Sequence, residues 1–275
     1  MANNNNINSD RVNSEMNKSD SKNSELNNSR FGSENNNAEI LDMIRKDEFY
    51  QRTAMLLGEE KLACLIKARV AVCGVGGVGA AAAEALARSG VGCLRLIDFD
   101  TISKSNLNRQ LHTNLENVGM VKAEAMRQRI HSFNPRCAVD VVPELITAES
   151  AVAILSGVDY IVDAVDDVPA KIAVAVFAKK NNIPLVVSMG TGNKVHPEML
   201  ELADISQTEV CPLARKLRRE LKKRGIAKGL PVVYTKEQPQ RADSTCNTPA
   251  SIAFVPPAAG MILAGKVVRD LAGVE

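Results

Sequence analysis

Tryptophan is absent from the sequence, and the only other aromatic residues are three tyrosines and six phenylalanines. Proteins that bind single-stranded nucleic acid without sequence preference stack bases on aromatic side chains, so this composition disfavours that mode of binding. An excess of charge of one sign is also lacking, because 34 basic residues face 32 acidic ones. Any case for nucleic-acid binding must therefore rest on a local cluster of cations.

The six cysteines include no C-x-x-C pair, and the three histidines are far apart in the sequence. This spacing gives almost no support to a structural zinc site. Cysteines without a disulfide framework are typical of a reducing compartment, so we expect a cytoplasmic protein.

Long apolar and low-complexity stretches occur only near the two ends. Residues 252–268 are strongly apolar, but Pro256 and Pro257 interrupt them. About a dozen residues remain, whereas a membrane-spanning helix needs roughly 20, so we expect a buried terminal helix and no membrane span. Residues 1–38 are rich in Asn and Ser and contain no apolar signal-peptide core. They are too polar to form a core, which predicts a disordered tail before a folded domain over residues 39–275.

Within that domain, apolar runs alternate with helical patterns. Near-continuous apolar strands separated by helices predict an α/β fold, with a Rossmann-like, doubly wound, mostly parallel sheet. Ligands of such sheets bind beyond the carboxyl ends of the strands. The predicted strands are 69–75, 93–100, 137–142, 159–165 and 184–189, and the predicted helices are 79–90, 118–131, 148–155 and 168–182.

A glycine-rich loop, GVGGVG at residues 74–79, joins the first strand to the first helix of this alternation. Gly74 permits a tight turn, Gly76 and Gly77 let a phosphate approach the backbone, and Gly79 lets helix and strand pack closely. Asp98 ends the second strand 19 residues later, where a carboxylate accepts hydrogen bonds from ribose hydroxyls. Loop and acid together indicate an adenine nucleotide, and leave both NAD and ATP open.

Charged residues further along the chain favour ATP. A triphosphate with Mg²⁺ needs surrounding cations and a carboxylate for the metal. A dinucleotide needs only its pyrophosphate neutralised, and the helix N-terminus already does that. Arg109 and Lys122 follow the second strand, and Asp166 lies at the end of the fourth, with Asp163 and Asp167 beside it. We therefore expect ATP and Mg²⁺ as cofactors, with Asp166 as the metal ligand.

Four segments, GVGGVG, LIDFDTISKSNLNRQ, VGMVKAE and VDAVDD, resemble the ubiquitin-activating-enzyme-like superfamily that includes MoeB, ThiF and HesA. The likeness covers nearly all of residues 45–270 and implies the ThiF/MoeB-type adenylation fold, in which a carboxylate is adenylated with ATP. It also implies a homodimer in which Arg52 reaches the neighbouring subunit's ATP. By the same resemblance Asp98 binds the ribose, Asn106, Arg109 and Lys122 surround the phosphates, and the nucleotide site further includes Asp100, Ser105, Asn108, Gln110 and Asp167.

The stretch after the fifth strand, MGTGNKVHPEMLELADISQTEVCPLARKLRRELKKRGI, is similar to the dehydratase branch of this superfamily. Those proteins activate the carboxylate of the threonylcarbamoyl group on a tRNA adenosine next to the anticodon. The activated carboxyl then closes into a ring with net loss of water. MoeB and ThiF usually carry zinc-binding C-x-x-C pairs, which are missing from this chain.

A basic helical segment at residues 211–228 independently supports tRNA as the partner. Leu213, Leu217 and Leu221 recur every four residues, so one face packs while the cations face water. Such a cluster releases counterions when it binds a phosphate backbone. The expected nucleic-acid contacts are Arg215, Lys216, Arg218, Arg219, Lys222, Lys223 and Arg224.

Three alternatives stay open on the sequence alone. One is activation of a ubiquitin-like sulfur carrier, with partners in a sulfur relay. Another is an NAD-dependent oxidoreductase, which explains Asp98 but leaves Arg109, Lys122 and Asp166 without a role. The third is a non-catalytic nucleotide-binding scaffold.

Overall fold

The computed structural model describes residues 35–240 and 249–275, and the chain divides into two units after Arg52. The described part of the first unit contains a helix whose Ile40 and Ile44, four residues apart, are buried. That helix begins at Asn35, before the expected domain boundary at residue 38. Residues 1–34, the rest of the expected disordered tail, lie outside the described residues.

The second unit, from Thr53 onward, contains the sheet. Across the described residues the helices are α1 Asn35–Lys46, α2 Glu48–Leu57, α3 Glu59–Lys67, α4 Gly77–Arg88, α5 Lys122–His131, α6 Ala151–Leu155, α7 Val168–Asn181, α8 Pro212–Lys222 and α9 Val255–Ala272. The strands are β1 Arg69–Cys73, β2 Cys93–Ile97, β3 Ala138–Val142, β4 Tyr160–Asp163, β5 Leu185–Ser188, β6 Leu200–Asp204 and β7 Pro231–Thr235.

The strands form one seven-stranded sheet in the order β3-β2-β1-β4-β5-β7-β6. All neighbouring pairs are parallel except β6 and β7, which are antiparallel. The chain adds β2 and β3 on one side of β1 and continues with β4 on the other, so a ligand crevice is expected at the carboxyl ends of β1 and β4. Register places Cys73 beside both Ile97 and Asp163 at that edge. The predicted α/β, mostly parallel fold is confirmed.

Helix α9 reaches this edge by packing closely on α4. A Cβ atom at Gly260 would lie 2.3 Å from the backbone oxygen of Val78, so glycine permits the approach. Residues 80–83 of α4 are all alanine and fully buried. Small side chains on both helices therefore bring the start of α9 next to the glycine-rich loop.

Three details differ from the sequence expectations. Strands β6 and β7 and helices α1 to α3 were not predicted from the sequence. Helix α5 begins at Lys122 rather than at residue 118, because Gly119 has a φ of 94° that no helix adopts. The basic helix α8 ends at Lys222 instead of continuing to residue 228, and Gly225, with a φ of 78°, turns the chain after it.

In the described residues, no helix combines the length and the apolar character needed to cross a bilayer.

Candidate functional site

The glycine-rich loop between β1 and α4 has a backbone that other residues could not adopt. Gly74 has a φ of 82°, and a Cβ there would lie 2.9 Å from the backbone oxygen of Ala164. A Cβ at Gly79 would lie only 1.7 Å from the oxygen of Gly74. Gly76 precedes α4 and no side chain caps the helix, so its first N–H groups are available to an anion.

Asp98 lies beside this loop and braces it. Its Oδ2 accepts a 2.6 Å hydrogen bond from the backbone N–H of Val75, and its Oδ1 accepts one of 2.9 Å from the N–H of Asp100. Burial raises the pKa of Asp98, while the two N–H groups oppose that shift. Each carboxylate oxygen has a second lone pair, so the side chain can also accept a hydrogen bond from a ligand hydroxyl.

Lys122, at the start of α5, is buried and held by Asp100. Its Nζ lies 2.6 Å from Asp100 Oδ2, and its backbone N–H donates to the Asp100 oxygen over 3.0 Å. A bridge between Thr101 and Val121 joins the same two segments. The structure therefore places Lys122 at the end of β2 and gives Asp100 the role of positioning it.

The segment after β2 folds back onto the glycine-rich loop. The Cγ of Arg109 lies 3.5 Å from the position of a Cβ at Gly77, and the Nε2 of Gln110 lies 3.9 Å from that at Gly76. The guanidinium of Arg109 donates to the backbone oxygen of Ser105 over 2.9 Å. Gln110 is buried, and its Oε1 has no hydrogen-bond partner among the described residues.

Two asparagines shape this segment. Asn106 is buried and its Oδ1 accepts a 3.0 Å hydrogen bond from the N–H of Ser103, so it closes the short turn at Lys104–Asn106. Asn108 accepts from Arg109 over 2.8 Å and donates to the backbone oxygen of Ser251 over 3.0 Å. The structure shows these two side chains supporting the segment that carries Arg109.

Three aspartates at the end of β4 and just after it lie in three different environments. Asp163 is fully buried and forms a 3.1 Å ion pair with the equally buried Lys171 of α7, and burial raises its pKa. Asp167 caps α7 by accepting a 2.8 Å hydrogen bond from the N–H of Ala170. Asp166 is exposed and forms no hydrogen bond or ion pair with the described residues. Of the three, Asp166 has the carboxylate that is free to bind a ligand.

Helix α8 packs through Ala214, Leu217 and Leu221, which are buried, while most of its cations face solvent. Arg218 differs, because its guanidinium donates to the backbone oxygen of Thr208 over 2.7 Å. Glu220 pairs with Lys223 at 2.8 Å and, at 3.4 Å each, with Arg219 and Arg224. Among the described residues, the expected contacts whose side chains form no ion pair or hydrogen bond are Arg215, Lys216 and Lys222.

No local sequence signal singles out Lys194 or His112, yet both are buried. Lys194 follows β5 and contacts the backbone of Glu237, which follows β7. His112 has no partner for either ring nitrogen among the described residues, and burial lowers its pKa to about 4. Arg52 is exposed on α2, in the first unit.

Comparison with known proteins places this geometry in a family. The model of the ThiF family matches residues 50–275. The tRNA threonylcarbamoyladenosine dehydratase of Bacillus subtilis is 40% identical over 238 residues, which span 81% of this chain and 94% of that protein. The Escherichia coli tRNA N6-threonylcarbamoyladenosine dehydratase in complex with AMP has a TM-score of 0.78 and 34% identity over 82% of this chain and 96% of that one. Its complex with ATP has a TM-score of 0.77 at the same identity and coverage. The chain belongs to the ThiF family.

Proposed function

We propose that this protein is an enzyme that uses ATP to dehydrate threonylcarbamoyladenosine in tRNA, next to the anticodon. The observation that carries the proposal is the 40% identity to the Bacillus subtilis dehydratase over 94% of that protein's length. The site supports it, because a glycine-rich loop, an acid at the end of β2 and two cations lie at one edge of the sheet. These are the groups that an adenylating enzyme needs to hold ATP.

The reaction begins with adenylation. A carboxylate oxygen of the substrate's threonyl group attacks the α-phosphorus of ATP, pyrophosphate leaves, and an acyl-adenylate forms. An atom of the same substrate then attacks the activated carbonyl carbon, and AMP leaves as the ring closes. Effective molarities of about 10⁵–10⁸ M for aligned intramolecular attack make a protein nucleophile unnecessary.

The nucleotide roles follow the placement of the side chains. Asp98 accepts from the ribose hydroxyls, the N-terminus of α4 binds a phosphate, and Arg109 and Lys122 neutralise the phosphates. Asn106, Ser105 and Asn108 hold the segment that presents Arg109.

Mg²⁺ fits the residues present at the end of β4. Asp166 offers an exposed carboxylate without a partner among the described residues, and oxygen ligands are those Mg²⁺ prefers. Within the described residues no three His, Cys, Asp or Glu side chains are grouped to hold a metal. One carboxylate together with substrate phosphates is a common arrangement for Mg²⁺, which would offset the charge on the triphosphate.

The tRNA contacts proposed for α8 are its solvent-facing cations. Arg215, Lys216 and Lys222 have no partner among the described residues, so they are available to phosphates. Lys223, Arg219 and Arg224 share Glu220, which a phosphate can replace as their partner. Arg218 contributes by fixing α8 to the Thr208 turn.

The assembly belongs to the proposal as well. We propose a homodimer in which Arg52 reaches the ATP of the neighbouring subunit, a cytoplasmic location, and contact with proteins of a sulfur relay. Light scattering of the wild type at several concentrations, together with the turnover of Arg52→Ala, tests the dimer. A monomer with full activity would overturn it.

Pyrophosphate release tests the function against carrier-protein activation. The purified protein is incubated with ATP, Mg²⁺ and either tRNA bearing threonylcarbamoyladenosine or a ubiquitin-like sulfur carrier. We expect release with the modified tRNA, and none with the carrier or with the same tRNA lacking the threonylcarbamoyl group. Release with the carrier alone would overturn the proposal.

A further inference from the structure

Lys194 is a buried cation at the sheet edge that carries the nucleotide site. It lies in the loop after β5 and is 7% exposed. Its Nζ donates a hydrogen bond to the backbone oxygen of Glu237, and it forms no ion pair within the described part of the chain. Buried charges in proteins are normally paired, because desolvation without a counter-ion is costly.

The neighbouring carboxylate of Glu237 acts on Lys194 through its charge but forms no direct ion pair with it. Glu237 Oε1 accepts hydrogen bonds from the N–H of Val195 at 2.9 Å and from Gln240 Nε2 at 3.1 Å, and Oε2 accepts from the N–H of His196 at 3.1 Å. The carboxylate is thus used to fix the loop that carries Lys194. Burial lowers the pKa of Lys194, although the charge of Glu237 partly opposes this shift.

The start of the last described segment links this loop to the nucleotide site. Asn193 and Ala250 exchange two hydrogen bonds of 2.8 Å. One residue later, the backbone oxygen of Ser251 accepts from Asn108, the neighbour of Arg109. Further along, the Cβ of Pro256 lies 3.0 Å from the position of a Cβ at Gly77.

These contacts follow one stretch of chain from the Lys194 loop, past the arginine-bearing segment, to the glycine-rich loop. Lys194 therefore belongs to the same edge as the groups assigned to ATP. Its ammonium has three N–H donors. One donates to Glu237, which leaves two for a ligand.

We infer that Lys194 binds the carboxylate of the acyl substrate, the group that ATP activates. This inference rests on the proposed function. The reaction brings two anions together, a carboxylate and a phosphate, and Arg109 and Lys122 are already assigned to the phosphates. A further cation lowers the repulsion and orients the attacking oxygen. A buried ammonium without a carboxylate partner is suited to that task.

A substrate-binding role predicts a change that a structural role would not cause. Lys194→Met is compared with wild type, with Lys194→Arg, and with Lys236→Met. Lys236 is the control because it is an exposed lysine next to Glu237, just after β7, and pairs with Glu201 at 3.1 Å. For each protein, we measure the affinity for one tRNA with and without the threonylcarbamoyl group, the affinity for ATP, and kcat/KM.

Wild type and Lys236→Met should bind the modified tRNA more tightly than the unmodified one. Lys194→Met should bind both equally, keep its affinity for ATP and unmodified tRNA, and lose about 100-fold in kcat/KM. Lys194→Arg should recover part of the preference. An unchanged preference in Lys194→Met would overturn the inference, as would equal losses for both tRNAs and ATP. Failure of wild type to dehydrate the modified tRNA would instead overturn the proposed function.

Discussion

Asp98 Oδ2 lies 2.6 Å from the backbone nitrogen of Val75, so the acid that ends β2 holds the glycine-rich loop that follows β1. The second carboxylate oxygen accepts from the N–H of Asp100, whose side chain pairs with Lys122. One carboxylate thereby connects the loop proposed to hold phosphate with the segment that positions a cation. Loss of the charge of Asp98 should therefore disturb both the glycine-rich loop and the position of Lys122.

Asp98→Asn should weaken ATP binding at least tenfold. The amide has one acceptor oxygen where the carboxylate has two, and hydrogen bonds to charged groups contribute about 1.5–3 kcal/mol each. Titration calorimetry with ATP measures the change. Asp159→Asn is the control, because Asp159 accepts a 2.7 Å hydrogen bond from the N–H of Arg69 at the opposite edge of the sheet. An equal loss of ATP affinity in both variants would contradict a specific role for Asp98.

Arg109→Ala should lower kcat/KM by at least about 30-fold, or 2 kcal/mol. Removing one donor that stabilises charge in a transition state typically costs 10²–10³ in rate. The stem of Arg109 lies on the glycine-rich loop, so its guanidinium is placed to reach a phosphate. Steady-state release of pyrophosphate gives the value, and Lys180→Ala, on the exposed end of α7, is the control. A kcat/KM of Arg109→Ala within threefold of the wild-type value would contradict the assignment of Arg109 to the phosphates.

Asp166→Ala should abolish turnover and reduce the binding of Mg²⁺ with ATP. The exposed carboxylate of Asp166 is the proposed protein ligand of the metal, and a methyl group cannot replace it. Turnover is measured across a range of Mg²⁺ concentrations. The control is Asp140→Ala on β3, which removes a carboxylate paired with Arg95. Near-normal turnover of Asp166→Ala at every Mg²⁺ concentration would refute the assignment.

Reversing two charges on α8, with Arg215→Glu and Lys216→Glu, should weaken tRNA binding and make it less sensitive to salt. The slope of log affinity against log salt concentration is negative, and each phosphate contact adds roughly 0.7–0.9 to its magnitude. The magnitude of the slope should therefore decrease by about 1.5. The same reversal at the exposed Lys179 and Lys180 of α7 is the matched control. Identical slopes for the two double variants would show that α8 does not bind tRNA specifically.

His112 should make stability depend on pH. Burial lowers its pKa from 6.5 to about 4, so only the unfolded state takes up a proton as the pH falls below 6.5. The free energy of unfolding should therefore decrease by about 2 kcal/mol between pH 7 and pH 5 through this residue. Urea titrations at both values should show a smaller decrease for His112→Gln. A decrease of the same size in wild type and in His112→Gln would contradict this role of His112.

The sheet was predictable where the strands are buried on both faces. Strands β1, β4 and β5 are apolar and almost wholly buried, so each appears as a continuous apolar run ended by glycine or polar residues. Strand β6 is different, since all five of its residues are only partly buried. Its alternating pattern is weak, and the insertion of β7 between β5 and β6 depends on pairing that no local pattern reveals.

The position of a site residue in the fold was predictable where that residue is close in sequence to the end of a strand. The glycine-rich loop and Asp166 closely follow β1 and β4, and Arg109 lies in the segment after β2, so the topology brings all three to the carboxyl ends of the strands. The contact of Lys194 with Glu237 spans 43 residues and involves a backbone oxygen, so side-chain type gives no clue to it. Likewise, the sequence of α8 does not show that Arg218 faces the Thr208 turn.

The mass of the modified nucleoside shows whether the protein removes water from threonylcarbamoyladenosine. tRNA bearing threonylcarbamoyladenosine is incubated with the protein, ATP and Mg²⁺, digested under mild conditions, and weighed by mass spectrometry. We expect a nucleoside that is lighter by one water and that forms only when ATP is present. An unchanged mass with active, folded protein and intact modified tRNA would contradict it.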